Sequence, residues 1–466
     1  MNYFSMMLIS SSLLMANQAD KNFAIATDPH DIKLTIYNQN LAMVSEKRSA
    51  DIEKMGRVKI MYSGIPTSID TTSVIASFRP DATLYSQNYS FDTISYQSLL
   101  KYHLGKTIHY TEKDDSVEIL EGTLISLSPI LIREKNYGAI YQPHQLFFPD
   151  IPKDMAIKPS LFWNIETLSN RLDIDLTYLT KGISWSSDYN INIKDSQRLT
   201  LNGWITITNN SGATYTNADI SVMAGNVNTD RSKDALRLYK ENMRRARAES
   251  KKEYKVKTQS IMGYHLYKIP FKETIKDRET KQIAFIKKDG IRYKKYSISK
   301  NNFYFSNFGT RKLSLMQVIE FKNSINNHLG IALPQGKVRV YKKDKEQQLH
   351  FVGSNHIKNS PKEETIKVSI GEPFDIVGKE VVTKYINTSK KRYISYNINI
   401  KNRGNKQETI KIQKKVPINR GKLIVKDSCT NQCTKKQLNA LSTLYTISLE
   451  PKEVYNMNVV YENILF

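Results

Sequence analysis

Between Leu172 and Ile207 apolar and polar residues alternate almost without a break, the period of two that marks half-buried strands. Leu172, Ile174, Leu176 and Tyr178 share one face of a first run, which Thr180-Lys181-Gly182 interrupts. Ile183, Trp185, Tyr189, Ile191 and Ile193 form the apolar face of the second, with Ser184, Ser186, Asp188, Asn190 and Asn192 opposite. Leu199, Leu201, Ile205 and Ile207 line the third, ahead of the turn Asn209-Asn210-Ser211-Gly212. Three successive strands, each with one wet face, predict an antiparallel meander.

The pattern recurs toward both ends. YQSLLKYHLGKTIHY reads as a short helical turn followed by a strand, and SVEILEGTLISLS and ILIRE add further strands at turn-sized gaps, so a small barrel is expected over 99–150. Such barrels bind RNA elsewhere, but no interleaving of aromatic and basic residues accompanies this one, which makes it a structural module. From Ile370 to Phe466 about seven strand segments, among them RYISYNINI, ETIKIQ, KLIVK, LYTISL and YNMNVVY, follow at the spacing of an immunoglobulin-like sandwich. The fold class is therefore all-β, mainly antiparallel: several β modules ending in an immunoglobulin-like sandwich. The expected organisation is an N-terminal β region over 24–155, a central β domain over 160–365 and the sandwich over 366–466.

Ser232–Lys257 breaks the alternation. It holds strong helix formers, no Gly or Pro, and only a thin apolar stripe of Leu236, Tyr239, Met243 and Ala246, so it reads as a basic helical or disordered insertion. If helical, it would offer Arg244, Arg245, Arg247, Lys251 and Lys252 as an anion-binding surface.

The first residues change the address. An apolar stretch from Phe4 to Met15 is followed by Ala16 and Ala19, small residues suited to signal-peptidase cleavage, so residues 1–19 are expected to be a signal peptide. No Lys or Arg precedes the stretch, and the competing reading is a buried N-terminal strand or helix. As a helix the stretch would cover about 18 Å, short of the roughly 30 Å hydrocarbon core. No later segment is apolar enough to span a membrane. The expected location is thus outside the cytoplasm, periplasmic or secreted, or peripheral on the envelope.

Charge points to a partner class. Residues 1–230 carry 19 Lys+Arg against 24 Asp+Glu, whereas residues 231–466 carry 50 against 21. A half with that surplus attracts polyanions, and for an exported chain these are anionic envelope lipid, polysaccharide or protein. Nucleic acid is disfavoured, because it would require the signal peptide to be illusory and no recognition motif is present. Basic pairs at Lys287-Lys288, Lys294-Lys295, Lys342-Lys343 and Lys390-Lys391-Arg392 beside turns and strand ends are explained by edge protection alone.

Chemistry yields near misses. Gly105-Lys106-Thr107 lacks the upstream glycine of a phosphate loop. Asp188, Asn190 and Asn192 have calcium-loop spacing, but Ile193 stands where the sharp turn needs glycine. Asp173 and Asp175 share a strand face, as the polar side of any half-buried strand would. Cys429 and Cys433 are too few for structural zinc, and an oxidising compartment favours a small-loop disulfide over two free thiols. No catalytic residue, metal site or cofactor is identified.

Several ordered blocks resemble one family. LTIYNQNLAMV from Leu34, LTYLTKGISWSSDYNI from Leu176, ISVMAGNVN from Ile220, YHLYKIPFKETIKDRETKQI from Tyr264, GIALPQGKVRVY from Gly330 and IGEPFDIVG from Ile370 are similar to the exported bacterial proteins grouped as domain of unknown function 4139, related to mucoidy-inhibitor-like proteins. The resemblance implies a secreted or periplasmic β-rich protein and carries over no functional residue. The cysteine pair and the basic insertion depart from the family pattern. The combined expectation is a non-enzymatic β scaffold that binds an anionic envelope component; the alternative is a hydrolase acting on an envelope polymer.

Overall fold

A computed structural model describes residues 22–90, 94–112, 118–151, 158–225, 257–261, 264–302, 305–416 and 422–465. The signal-peptide reading falls outside them, as do Arg244, Arg245, Arg247, Lys251 and Lys252. Strands dominate, in mostly antiparallel sheets, and one α-helix, Tyr96–His103, occurs among the described residues.

Alternation becomes layering. A seven-stranded sheet runs in the order Lys257–Ile261, Tyr264–Ile275, Tyr215–Ala224, His30–Tyr37, Leu41–Asp51, Arg171–Lys181, Ile69–Arg79. Its inner face carries Leu34, Val44, Leu176, Tyr178 and Val222. Two sheets share the core with it. One contains Gly56–Ser63 and Ser160–Thr167 and supplies Tyr62 and Trp163; the other pairs Ile183–Ile193 with Arg198–Asn209 and supplies Trp185, Ile205 and Ile207.

The meander expectation is corrected here. Arg171–Lys181 belongs to the seven-stranded sheet, whereas Ile183–Ile193 and Arg198–Asn209 lie in the facing five-stranded one. The chain crosses between layers at Gly182, whose φ is +84° and whose added Cβ would lie 2.7 Å from the Asn210 carbonyl oxygen. Only glycine tolerates that conformation at such an approach.

The second half repeats the first. A six-stranded sheet runs in the order Cys433–Asn439, Ser442–Leu449, Glu408–Lys415, Lys294–Asn302, Met316–Lys322, Thr365–Gly371. Strand for strand it reproduces the first six members of the seven-stranded sheet, including one parallel pair at the same place: His30–Tyr37 beside Tyr215–Ala224, and Lys294–Asn302 beside Glu408–Lys415. Facing it, Ile376–Asn387, Lys391–Asn402 and Val454–Ile464 pair as Ile183–Ile193, Arg198–Asn209 and Glu279–Arg292 do in the first half. The C-terminal two-sheet sandwich is thus built partly from upstream strands, and pairing crosses the expected boundary at residue 366.

Equivalent asparagines close equivalent turns. Asn209 donates to the carbonyl oxygens of Ala213, Ile275 and Lys276, and Asn402 to those of Lys406, Leu449 and Glu450. In each case one buried amide ties a turn carbonyl to two carbonyls at the end of a neighbouring strand. The basic insertion and the Cys429/Cys433 loop also interrupt equivalent connections, between Tyr215–Ala224 and Tyr264–Ile275 and between Glu408–Lys415 and Ser442–Leu449.

The sandwiches are joined by a shared core. Tyr189, Ile191, Leu201 and Val338 of the first pack with Ile319, Phe321, Ile366 and Val368 of the second. Within the second, fully buried Lys414 pairs with Glu380, which also accepts from Arg311, beneath Tyr396. Burial holds the Lys414 ammonium below its ordinary value.

Residues 94–151 form an excursion between Thr83–Ser90 and Ser160–Thr167, which neighbour each other in their sheet. The excursion holds the helix and a five-stranded sheet around Leu100, Ile108, Tyr110, Leu124 and Ile132. That sheet is open: among the described residues its outer strands, Ile140–Tyr141 and Gln145–Phe147, do not pair with each other.

Candidate functional site

The outer face of the six-stranded sheet collects the charge. In that sheet Ser297, Ile319, Ile410, Ile412 and Tyr445 point inward, so alternation sends their neighbours out. Lys294 and Lys300 come from one strand, Lys411 and Lys415 from the next, and Lys367 and Lys436 from the flanking strands. The register aligns them across the sheet, Lys300 beside Gln413, Gln413 beside Leu444, and Leu444 beside Lys436. Lys294, Lys300, Lys367, Lys415 and Lys436 are exposed.

One carboxylate interrupts them. Glu320 accepts a 2.7 Å hydrogen bond from the Tyr296 hydroxyl and lies 3.5 Å from Lys367 Nζ. Lys411 Nζ sits 3.5 Å from the centre of the Tyr296 ring, a cation–π contact that buries the ring to 3% exposure. Burial pushes the Glu320 carboxyl up, but the Tyr296 hydrogen bond and the ammonium groups of Lys411 and Lys367 outweigh it and hold it below the ordinary carboxylate value. Burial lowers the Lys411 ammonium against the pull of Glu320, with Lys367 and Lys294 adding repulsion. The positive charge of this face therefore exceeds what its carboxylate neutralises. Lysines spread over an open sheet, without paired guanidinium forks or a deep cleft, suit diffuse attraction to an anionic surface better than recognition of one small anion.

The sequence-level candidates are dispersed. Asp175 pairs with Arg79 in the seven-stranded sheet, where Asp173 lies beside Arg79 in register. Asp188 sits in the other layer, accepting from Arg339 at 3.0 Å and Thr206 at 2.9 Å. Asp173 and Asp175 stay two residues apart on one strand, and Asp188 is not brought to them. A pocket occurs at Met55, Pro80, Asp81, Leu168, Ser169 and Asn170, and none of the three carboxylates is in its lining. Among the described residues no three His, Cys, Asp or Glu side chains cluster to hold a metal ion.

The Sγ atoms of Cys429 and Cys433 lie 2.05 Å apart, in the loop that leads into Cys433–Asn439 on the same sheet. Of the lysine pairs noted in the sequence, Lys294 belongs to the outer face, while Lys295 turns to Glu408 at 2.7 Å. Lys300, Lys367, Lys411, Lys415 and Lys436 were missed. Their signal was visible in ETIKIQKK, where lysines alternate with isoleucines, but not the fact that three other strands bring lysines to the same face.

No curated protein matches the chain. A family model described as Domain of unknown function (DUF4139) matches residues 174–463, from within Arg171–Lys181 to the last strand of the second sandwich. That span is more than half of the 466 residues, and the chain belongs to this family.

Proposed function

We propose that this protein is an exported, non-enzymatic β scaffold whose lysine-rich sheet face binds an anionic, phosphate- or carboxylate-bearing component of the cell envelope. The observation that carries the reading is the excess of lysines on this face, where Glu320 lies among Lys294, Lys300, Lys367, Lys411, Lys415 and Lys436. Export draws on the apolar N-terminal stretch and on the Cys429–Cys433 pair, which persists as a disulfide in an oxidising compartment. No helix among the described residues is long and apolar enough to cross a membrane, so contact with the envelope would be peripheral.

The test is co-sedimentation of the full chain with phosphatidylglycerol-containing vesicles, with phosphatidylcholine vesicles, and with a polyuronate gel. Each lysine near an anionic surface contributes about 1 kcal/mol, so Lys367→Glu with Lys411→Gln should weaken binding by roughly 100-fold. Binding should also fall steeply with salt. Preference between vesicle and gel identifies the phosphate or carboxylate source. Salt-independent binding, or none to either anion, rejects the reading.

A further inference from the structure

The first sandwich carries a different outward face. On the sheet that pairs Ile183–Ile193 with Arg198–Asn209, Asp188 lies opposite Trp204 and Asn190 opposite Asn202, with Asn192 one step along. All five side chains are partly exposed. The chain has three tryptophans; Trp163 and Trp185 are buried in the core, and only Trp204 faces outward.

This face has unused hydrogen-bonding capacity. Asn190, Asn192, Asn202 and the Trp204 indole make no side-chain hydrogen bond among the described residues, and Asn190 Oδ1 is buried without a partner, a state an amide leaves by rotating toward a donor. Trp204 also stacks on no other ring there. The charge at the centre, by contrast, is already used: Asp188 is held by Arg339 and Thr206. The equivalent face of the second sandwich also presents amides and pairs several of them internally, while the exposed Asn397 between them makes no side-chain hydrogen bond among the described residues. Asn399 donates to Asn456 at 2.6 Å, and Ser395 donates to Asn458 at 3.1 Å. The first sandwich therefore leaves more of its amides open than the same topology does in the second.

We propose that this face binds an uncharged oligosaccharide chain. Amides supply the donors and acceptors that sugar hydroxyl and acetamido groups need, and an outward indole supplies a flat apolar platform with one N–H donor. Five strands at ordinary spacing give about 19 Å across, room for a short glycan. Arg339 at the centre is already paired with Asp188, while the exposed Lys287 and Lys337 lie in register with Asn202 and Asp188, so the comparison of low and high salt separates sugar contacts from simple charge attraction. This site is separate from the lysine-rich face, and the two differ in salt dependence.

The experiment is calorimetric titration of the full chain with linear tetramers of β-1,4-linked N-acetylglucosamine and of β-1,4-linked glucose, at low and high salt. The expected result is binding of at least one tetramer, unchanged by salt, weakened about tenfold or more by Trp204→Ala and by the double change Asn190→Ala with Asn202→Ala. Trp204→Phe, which keeps a stacking ring, should retain more affinity than Trp204→Ala, and Lys367→Glu with Lys411→Gln should leave it unaltered. Thermal melts of each variant separate loss of ligand from loss of fold, and Trp204→Phe is read wherever Trp204→Ala unfolds. The proposal is overturned by absence of binding to both tetramers, or by binding that well-folded face variants leave unchanged. Loss with added salt also overturns it and assigns the ligand to the lysine-rich face.

Discussion

Arg48 and Glu46, two residues apart on the strand Leu41–Asp51, form an ion pair at 2.7 Å inside the core of the first sandwich, with side chains 3% and 4% exposed. The Tyr62 hydroxyl donates to the same Glu46 oxygen at 2.7 Å, and the Arg48 guanidinium lies 3.8 Å from the Tyr62 ring centre. Burial disfavours the charged guanidinium, but Glu46 outweighs it and keeps Arg48 firmly protonated. Removing one partner strands the other in apolar surroundings. Arg48→Met should therefore cost about 3–5 kcal/mol in denaturant unfolding, and the paired change with Glu46→Leu should recover much of it. Additive losses would contradict this coupling.

The two turn asparagines give a matched pair of measurements. Asn209→Ala and Asn402→Ala each remove an amide that serves three carbonyls, and each should cost on the order of 2–3 kcal/mol. Because they sit in different sandwiches, their effects on the urea midpoint should add. A silent Asn402→Ala would mean that water replaces the amide.

Acid stability should track Glu320. Its carboxyl is held below the ordinary value in the folded chain, so its contribution is present above the unfolded value near 4.3 and lost as pH falls through the folded one. Glu320→Gln should flatten the acid limb of the stability curve and, by removing the face's carboxylate, strengthen binding to phosphatidylglycerol vesicles. An unchanged acid limb would show that the lysines do not hold the carboxylate.

The cysteine loop is short, and closing a loop of this length constrains the unfolded chain by about 2 kcal/mol. Cys429→Ser with Cys433→Ser should lower the melting temperature of the purified chain by a few degrees. Intact mass after alkylation, with and without reductant, checks the bond directly. Two alkylated thiols in material taken from the envelope fraction would remove this support for an oxidising address.

Much of the strand inventory was legible because alternation is local. The segments around Ile191, Ile207, Ile400, Ile412 and Tyr461 announce strands by their spacing alone. The repeat was not legible, although ITNNSG at Ile207 and IKNRG at Ile400 mark the equivalent turns. These motifs are short, and the strands around them share burial pattern more than residue identity. The change of layer at Gly182 was also hidden, since a turn glycine reads the same whether the chain folds back on one sheet or crosses to another.

The sequence by itself determined the all-β class, the inward and outward sides of the strands between Leu172 and Ile207, the asymmetry of charge and the close spacing of two cysteines. Tertiary structure decided that Lys294–Asn302 lies parallel to Glu408–Lys415 across more than a hundred residues, which gathers lysines from separate strands onto one face. It likewise decided that Asn190 and Asn202 stand open beside Trp204 while Asn399 and Asn456 bond each other. A period of two fixes which side of a strand is wet; which strands share that side depends on register and burial across the whole chain.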